Sequence, residues 1–548
     1  TAQRLRDSHH PGIQQLRSSV LLNSAPEATV EEVNSHMLQQ ATVLFPAVCG
    51  KPTATGVKAP AAGRRNIFTV WTREAKRAWF YDQILGMERP NGELWSPTQQ
   101  VHCLQTFFKD LYAPEDEPEL PSLPPLQAPV ITPEEAHHRL SRLPVHKATP
   151  SHQAPTAATV ACADILAPWF SRKVGALSSF PAVWSDCWLF LMPKVSHPVL
   201  PRQFRPIGLT ESTGRALAGH LQDALKPYLQ AFVGPWPQLA YMAGRSTGEA
   251  LHRVFSHCHT VSAANKKPVY NIHAARAKLT QAASSSSRQT PSSSGRLRTG
   301  GVQASLDLSQ AFDRLSWHLI HDALIEAQVP LELRVQLLEF YRGLGYHLAY
   351  GSETALRGVK QGCRVAPLLW SLATGLLLRR LARVTSSEWV RRALTAFADD
   401  FHIGQVIHSS RDLLLAIERL GLVLQLLIEA RMKVNIDKSV VLLLVNHSYA
   451  SRWRRREIVS DKQGPRLRIS TPSVGILKLP IVDSHKFLGG DYLLPGGLHA
   501  AHGGLPIAAN LGNLDQTSAG SHLSFCTGSS AETQTLASLH STYGPLRT

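Results

Sequence analysis

The chain has few cysteines, and their spacing argues against two classes of small protein. Seven cysteines are spread over 548 residues, an odd number without paired spacing. Disulfide scaffolds and zinc knuckles both need cysteines at short, regular intervals. The compact group His257-Cys258-His259 lacks further ligands at a suitable spacing, which disfavours zinc there. A reducing, intracellular compartment is therefore the default.

Long uninterrupted apolar runs are also missing. The most apolar long stretch, Leu413–Ala430, contains Glu418, Arg419 and Glu429. A membrane-spanning helix needs about 20 predominantly apolar residues, so we predict instead a helix packed beneath a sheet. No secretory signal is recognisable, and we expect no membrane partner.

Acidic residues are outnumbered by basic ones. Lys and Arg total 57 against 40 Asp and Glu, a formal net charge of +17. Such an excess favours a polyanionic partner such as a nucleic acid. Two basic clusters, Arg379–Arg383 and Arg452–Arg456, could follow a phosphate backbone, with Trp453 stacking on a base. Any single cluster is more often a solvated helix face, so the prediction depends on the overall excess.

Three aspartates belong to two apolar segments. Asp399 and Asp400 interrupt the stretch Ala393–Ile403, and Asp307 ends the run Val302–Leu306. Two divalent cations about 4 Å apart can clamp an attacking 3′-hydroxyl and a leaving pyrophosphate. Because Mg²⁺ prefers carboxylate oxygens, such a site needs carboxylates from separate strands. An isolated Asp-Asp pair is more often a polar hairpin turn, so the neighbouring segments must decide.

An aromatic residue follows the first aspartate. Phe312 is five positions beyond Asp307, in a segment that predicts a strand turning into a short helix. There its ring would lie against the sugar of an incoming nucleotide and leave no room for a 2′-hydroxyl. The alternative is that Phe312 and Trp317 are core residues of the helix.

A glycine-rich loop separates the two aspartate segments. Gly358 and Gly362 permit a close approach of backbone to a ligand, and the Gln361 amide could contact sugar, base or template. Pro367 suits the first turn of an apolar helix that we expect to continue to about Arg383.

Several basic side chains could bind or protonate phosphate groups. Lys194 and Arg205 lie on either side of a predicted turn and could grip a triphosphate, Arg205 in a bidentate way. Lys438, in a turn that enters a buried strand, could protonate a leaving pyrophosphate or be an ordinary solvated lysine. The segment Phe487–Gly489 offers an apolar pair and a glycine, which suits a hairpin that grips a primer end.

The order of these segments is the strongest signal. They resemble the reverse transcriptase family, and most closely its non-LTR (LINE-type) retrotransposon branch, from about Val130 to Gly490. The blocks that match in sequence order are Phe204–Ile207, Asp307–Asp313, Gln361-Gly362, Phe397–Asp400, Asn435–Lys438 and Phe487–Gly489.

The resemblance implies a role for each matching residue. Asp307, Asp399 and Asp400 would bind the metal ions, Phe312 would be the steric gate, and Gln361 and Gly362 would contact nucleotide and template. The remaining roles are phosphate contacts for Lys194 and Arg205, a place beside the leaving group for Lys438, and a primer grip for Phe487, Leu488 and Gly489. Ala366 departs from the family pattern, which often has Ser before the proline, and we expect the loss of one hydrogen bond.

The resemblance also implies a fold and a reaction. The expected fold is α+β, a right-hand polymerase with fingers and an RRM-like antiparallel palm sheet packed on helices. The expected cofactor is Mg²⁺, as two ions, with Mn²⁺ as an alternative. The expected partners are an RNA template, a DNA primer or target and deoxynucleoside triphosphates, in the nucleus or cytoplasm.

Composition and resemblance together divide the chain into segments. These are a basic helical N-terminal extension (1–112), a Pro-rich linker (113–129), fingers (130–260), a Ser-rich disordered insertion (261–300), a palm (301–490) and a low-complexity, disordered tail (491–548).

Two expected parts are not recognisable in the sequence, namely a helical thumb after the palm and an endonuclease. The chain begins with Thr1, and we expect either the central piece of a longer retrotransposon protein or a degenerate copy. The nuclease activity would then come from a missing region or from another protein. Three alternatives to an active reverse transcriptase stay open: an inactive nucleic-acid-binding remnant, a group II intron-like maturase and an RNA-templated RNA polymerase. Phe312 disfavours the last, because those polymerases usually have an aspartate there.

Overall fold

The computed structural model describes residues 10–45, 95–195, 198–266, 300–348, 351–445 and 450–494. The described residues all belong to one unit of the chain, Thr1–Leu498. Much of the predicted N-terminal extension (46–94), most of the Ser-rich insertion (267–299) and nearly all of the tail (495–548) lie outside the described residues.

Helices and short strands alternate along the described ranges. The helices are α1 (Pro11–Asn23), α2 (Val30–Leu44), α3 (Pro97–Tyr112), α4 (Pro133–Ser141), α5 (Thr156–Ala161), α6 (Ala163–Gly175), α7 (Ala182–Ser185), α8 (Ser212–Val233), α9 (Thr247–Lys266), α10 (Trp317–Glu326), α11 (Leu331–Glu339), α12 (Ala366–Val384), α13 (Ser387–Ala393), α14 (Ser410–Glu429) and α15 (Ala450–Glu457). The strands are β1 (Cys187–Pro193), β2 (Phe204–Leu209), β3 (Gly300–Leu306), β4 (Leu308–Ser309), β5 (Gly345–Leu348), β6 (Gly351–Thr354), β7 (Leu394–Phe397), β8 (Asp400–Ile407), β9 (Lys433–Val434), β10 (Val440–Leu444), β11 (Ile458–Asp461), β12 (Gly464–Thr471), β13 (Gly475–Pro480), β14 (Ser484–Phe487) and β15 (Gly490–Leu493).

The central sheet has the strand order β10-β3-β8-β7, and every neighbouring pair is antiparallel. Helices separate β3 from β7 and β8 from β10, which gives the β-α-β-β-α-β order of RRM-like sheets once the inserted elements are set aside. The predicted palm sheet and the α+β class are therefore confirmed.

Both faces of this sheet are buried, and successive side chains of each strand point to opposite faces. Val441 and Leu443 of β10 face the main core, where α14 packs, whereas Val440, Leu442 and Leu444 belong to a second cluster beneath α9 and the hairpin β14–β15. The helix predicted over Leu413–Ala430 is thus present and lies against the sheet. Among the residues that the structure describes, no helix combines the length and the apolar character that a membrane span requires.

A second sheet has the order β2-β1-β5-β6, and its strands β1 and β2 lie in the segment predicted as fingers. β1 pairs antiparallel with β2 and parallel with β5. Strands β5 and β6, which lie in the segment predicted as palm, therefore share a sheet with β1 and β2. The helical pair α1–α2 packs on α6, where Arg17 pairs with Asp164 and the Trp169 indole donates to the Ala28 carbonyl at 3.2 Å.

The residues after the palm sheet form a small sheet and a hairpin. In the sheet β11-β12-β13, Leu467 and Ile469 are buried and pack toward α14. Helix α15 adjoins this sheet through Trp453, which is 7% exposed. Its ring is not available to a nucleobase, so the predicted stacking by Trp453 is wrong.

Candidate active site

The Asp-Asp pair lies where β7 turns into β8. Phe397 pairs with Asp400, so Ala398 and Asp399 form a two-residue hairpin turn. Ala398 has φ of +53°, the left-handed conformation that tight hairpin turns require. The hairpin and the functional interpretations of this pair are therefore compatible, because the turn itself presents Asp399 and Asp400.

Asp307 reaches the same end of the sheet from the neighbouring strand. Leu306 of β3 pairs with Phe401 of β8, and the next step of this register sets Asp307 opposite Asp400. The Asp307 amide donates to the Ser439 hydroxyl at 3.1 Å, and its carbonyl accepts from the Asn435 amide at 2.8 Å. These bonds fix Asp307 against the turn that carries Lys438.

The three carboxylates share one electrostatic field. Burial raises the pKa of Asp400 to about 7, and the charges of Asp399 and Asp307 act in the same direction. Burial likewise raises the pKa of Asp399, with a further increase from Asp307, while Arg205 and Lys194 oppose it. Asp399 and Asp400 are therefore costly to ionise unless a cation is present.

The donor set fits hard divalent cations, although the side chains are not drawn together around a metal position. Across the described ranges, no group of three or more His, Cys, Asp or Glu side chains is arranged to hold a metal ion. Within the same ranges, Asp307, Asp399 and Asp400 form no ion pair with Lys or Arg. Three carboxylates without ion pairs, at the ends of adjacent strands, are the oxygen ligands that Mg²⁺ prefers.

The hairpin of β1 and β2 brings two cations toward these carboxylates. Arg205 pairs with Met192 across β1 and β2, and the Lys194 amide donates to the Gln203 carbonyl at 2.7 Å. Burial lowers the pKa of Lys194, Arg205 and Lys438 lower it further, and Asp313 and Asp307 raise it. The structure thus gathers the predicted phosphate contacts and Lys438 around the aspartates.

Phe312 lies in the turn before α10 rather than in that helix. Its half-buried ring stacks on Trp370, with centroids 5.2 Å apart and planes at 19°, and meets Tyr241 edge-on at 6.3 Å. The Trp370 indole also donates to the Ala398 carbonyl at 2.8 Å. A chain of contacts therefore runs from Phe312 to the turn that presents Asp399.

The glycine-rich loop closes on a buried aspartate. The Gln361 amide donates to Asp313 Oδ2 at 2.7 Å, and the Tyr112 hydroxyl donates to Asp313 Oδ1 at 3.0 Å. Burial raises the pKa of Asp313 to about 7, and these two hydrogen bonds and Lys194 oppose the increase. Gln361 is thus held by the protein, and its contact with a template stays a prediction.

The two loop glycines meet protein backbone. Gly358 has φ of +87°, and a Cβ there would lie 2.5 Å from the Asp313 carbonyl oxygen. Gly362 has φ of +112°, and a Cβ would lie 3.1 Å from the Gly208 carbonyl oxygen. The close approach predicted from the sequence is therefore made by the chain itself, and nucleotide or template binding by Gly362 stays a prediction.

The predicted primer grip is a hairpin tip. Leu488 and Gly489, with φ of +48° and +88°, form the two-residue turn between β14 and β15, as type I′ turns require. Phe487 is 2% exposed and lies 5.6 Å from the His402 ring. Its side chain anchors the hairpin to the core, which leaves Leu488 and Gly489 at the tip.

Comparison with known proteins identifies the family. Residues 192–490 match the model of the reverse transcriptase (RNA-dependent DNA polymerase) family. The chain belongs to the reverse transcriptase family. Proteins of this family copy a nucleic-acid template from nucleotide substrates and use divalent metal ions.

This reverse transcriptase is also similar to a retrotransposon protein. It is 38% identical over 105 residues to the retrovirus-related Pol polyprotein from type-2 retrotransposable element R2DM of Drosophila melanogaster. The match covers 18% of this chain and 10% of the relative, so the chain matches about a tenth of that protein's length. This similarity agrees with the retrotransposon branch that the sequence motifs indicated.

Two solved telomerase structures match about half of the chain. Apo telomerase from Candida tropicalis, truncated from the C-terminal domain, has a TM-score of 0.33 at 11% identity over 49% of this chain and 52% of that one. Telomerase from Candida albicans in complex with a TWJ fragment of telomeric RNA has a TM-score of 0.30 at 12% identity, over 49% and 45% of the two chains.

Sequence reasoning missed three residues of this reverse transcriptase site. Asp313 lies within the block that begins at Asp307, and Trp370 ends the glycine-rich segment, so both were visible but had no assigned partner. Tyr112 is 201 residues from Asp313, and no local pattern connects the two.

Proposed function

We propose that the chain is an RNA-directed DNA polymerase of a non-LTR retrotransposon, adding deoxynucleotides to a DNA 3′-hydroxyl on an RNA template. The observation that carries the proposal is the set of three carboxylates at one end of the palm sheet, none of which has an ion-pair partner among the described residues. Burial and mutual repulsion raise the pKa of Asp399 and Asp400, so the site favours a bound cation.

Asp307, Asp399 and Asp400 would hold two Mg²⁺ ions, or Mn²⁺ in their place. When bound, the ions supply charge stabilisation at the attacking and leaving oxygens. The protein contributes position: β3 and β8 fix two carboxylates opposite each other, and the Ala398-Asp399 turn adds the third. Such preorganised groups need no rearrangement as charge develops during phosphoryl transfer.

The cations around the aspartates would handle the triphosphate. Lys194 and Arg205 come from the fingers and are close enough to influence Asp399, so they would contact the phosphates. Lys438, which is exposed beside the Asn435 turn, would donate a proton to the leaving pyrophosphate. Charge-assisted contacts of this kind orient the α-phosphate for attack.

The remaining site residues would select and position substrates. Phe312 would exclude a 2′-hydroxyl, and the loop at Gln361-Gly362 would contact nucleotide and template. The tip residues Leu488 and Gly489 would hold the primer end, with Phe487 anchoring the hairpin.

The biological setting is part of the same proposal. A DNA target would serve as primer, inside the nucleus or cytoplasm. The nick that exposes the 3′-hydroxyl would come from a region outside this chain or from another protein.

Primer extension by the purified chain tests the proposal. The assay uses a DNA primer on an RNA template with Mg²⁺ and deoxynucleotides, beside the Asp399→Ala variant. We expect extension by the parent chain, none by the variant, and similar binding of the hybrid by both. A folded, RNA-binding parent chain that does not extend would support the inactive remnant, and equal loss of binding and synthesis in the variant would contradict the metal-binding role.

A further inference from the structure

A basic surface lies outside the site described above. It consists of the exposed cations of α15 and of the outer face of the sheet β11-β12-β13, here called the basic face. Arg452 and Arg455 are exposed on the helix, and Arg468 and Lys478 stand opposite each other on adjacent strands. The Arg468 guanidinium reaches the Arg456 carbonyl at 3.5 Å, which joins helix and sheet.

One feature of the basic face is unfavourable without a ligand. Like charges directly opposite on neighbouring strands repel, yet Arg468 and Lys478 occupy such a pair. An anion bound beside both side chains would relieve this repulsion.

The other basic cluster of the sequence is built differently. Arg380 pairs with Asp322 at 2.7 Å, and Arg383 pairs with Glu326 at 3.0 Å. Arg379 lies 4.7 Å from the centre of the Phe232 ring. By contrast, Arg452, Arg455 and Lys478 have no ion pair within the part of the chain that the structure describes.

We propose that the basic face binds the phosphodiester backbone of a nucleic acid and is separate from the β7–β8 turn that carries Asp399. Strand β12 has 8 residues and is therefore about 25 Å long, which suits several successive phosphates better than one small anion. Because Trp453 is buried, the helix offers no aromatic ring for base stacking, so binding is independent of sequence. The proposal rests on the nucleic-acid partner of the proposed function but not on catalysis.

Two charge-matched variants of the full chain test the proposal. R452Q/R455Q/K478Q removes three cations from the basic face, and R379Q/R380Q/R383Q removes three from the paired cluster. Fluorescence anisotropy with a blunt duplex DNA and with a single-stranded RNA, without divalent metal, gives affinity as a function of salt. For the first variant we expect about tenfold weaker binding and a salt slope reduced by about 2 to 3 on duplex DNA, since each phosphate contact contributes about 0.9. The control should change the slope by less than about 1.

The outcomes distinguish a loss of charge from unfolding and identify the bound polymer. Weaker binding of the first variant to the duplex alone, or to the RNA alone, identifies the polymer, and either result supports the proposal. Equal changes in both variants, or no change on either probe, would overturn it. R452K/R455K keeps the charges and should bind normally, and melting temperatures show whether any variant has unfolded. A parent chain that binds but never extends a primer would count against the proposed function and leave this result intact.

A second inference concerns Trp370, which is fully buried. Its ring stacks on Phe312, and its indole N–H donates to the carbonyl of Ala398. Ala398 adopts a left-handed backbone conformation, which costs energy for a residue with a Cβ and so needs support. We infer that Trp370 is a positioning residue that couples the steric gate Phe312 to the turn carrying Asp399. This inference rests on the proposed function.

Two substitutions separate the two contacts. W370F keeps an aromatic ring beside Phe312 and loses the hydrogen bond, so kcat should fall about fivefold to tenfold with little change in KM. W370L loses both contacts and should also raise the incorporation of ribonucleotides relative to deoxynucleotides by about tenfold. Identical kcat and sugar selectivity in all three proteins, with only melting temperature changed, would overturn the inference. Inactivity of the parent chain would instead refute the proposed function.

Discussion

Asp313 and Asp400 are both shielded from water, and burial raises the pKa of each to about 7. Their surroundings differ. Both oxygens of Asp313 accept hydrogen bonds from neutral donors, Tyr112 and Gln361. Asp400 instead faces two further carboxylates, Asp399 and Asp307, whose charges raise its pKa in addition to burial. Lys194 is within electrostatic reach of both Asp313 and Asp307, so the two arrangements occur side by side.

The difference distinguishes a structural carboxylate from one that needs a ligand. A buried carboxylate whose oxygens are satisfied by protein donors belongs to the architecture, and here it ties α3 to the glycine-rich loop. A group of carboxylates that repel one another stores unfavourable energy, which a cation releases. The following substitutions should therefore affect activity at one site and stability at the other.

The largest expected effect is on synthesis. Asp307→Asn and Asp399→Asn should each lower the rate of primer extension by about a thousandfold or more, because several kcal/mol of charge stabilisation depend on the metal ligands. The free energy of unfolding without metal should stay the same or increase, since each change removes a repulsive charge. A strongly destabilised variant, measured by urea denaturation, would show that these carboxylates are structural after all.

Removing Asp313 should mainly affect stability. Asp313→Ala leaves the Tyr112 hydroxyl and the Gln361 amide unsatisfied in the interior, which should cost about 2–4 kcal/mol of unfolding free energy. Asp313→Asn keeps the shape and should cost about 1 kcal/mol or less. Denaturant unfolding measures both, and an Asp313→Ala variant of unchanged stability would remove the contrast with Asp400.

Metal binding should stabilise the site selectively. At Mg²⁺ concentrations about ten times the dissociation constant, the parent chain should gain about 1.4 kcal/mol. Asp313→Asn should show the same gain, whereas Asp399→Asn should lose most of it. Thermal unfolding with and without Mg²⁺ makes the measurement, and an equal gain in both variants would place the binding elsewhere.

The smallest expected effect is a pH dependence that belongs to Asp313. Its pKa is raised from an ordinary value of 3.8 to about 7, so the folded state binds the proton more tightly than the unfolded chain does. This stabilisation is complete below pH 3.8 and is lost as the pH rises through 7. Between pH 6 and 8 the parent chain should lose about 1 kcal/mol more than Asp313→Asn. A difference of the opposite sign would mean that the two hydrogen bonds outweigh burial.

Local patterns in the sequence were sufficient for much of the fold. The run Leu413–Ala430 and the proline at 367 predicted the helices α14 and α12, because apolar spacing and first-turn prolines act within one element. The apolar runs that end in Asp307 and Asp399 likewise predicted two strands that converge. The roles assigned to individual site residues stay predictions.

Long-range partners could not be read from the sequence. The two arginine clusters look alike as sequences, yet Asp322 and Glu326 of α10 neutralise only the first. Trp453 seemed available for stacking, but it is buried on a helix that packs against the small sheet. The alternative interpretation made Phe312 a core residue of the following helix, whereas its contacts with Trp370 and Tyr241 are made from a turn. In each case the deciding neighbour is distant in sequence, and only the tertiary structure identifies it.

The most direct test is to count the metal ions that the site holds. Mn²⁺ bound to the complex of the chain with an RNA template, a chain-terminated DNA primer and a deoxynucleotide can be titrated by electron paramagnetic resonance. The parent chain and Asp313→Asn should each bind two ions, and Asp399→Asn should bind fewer. Two ions in all three proteins would contradict the assignment of Asp307, Asp399 and Asp400 as the metal site.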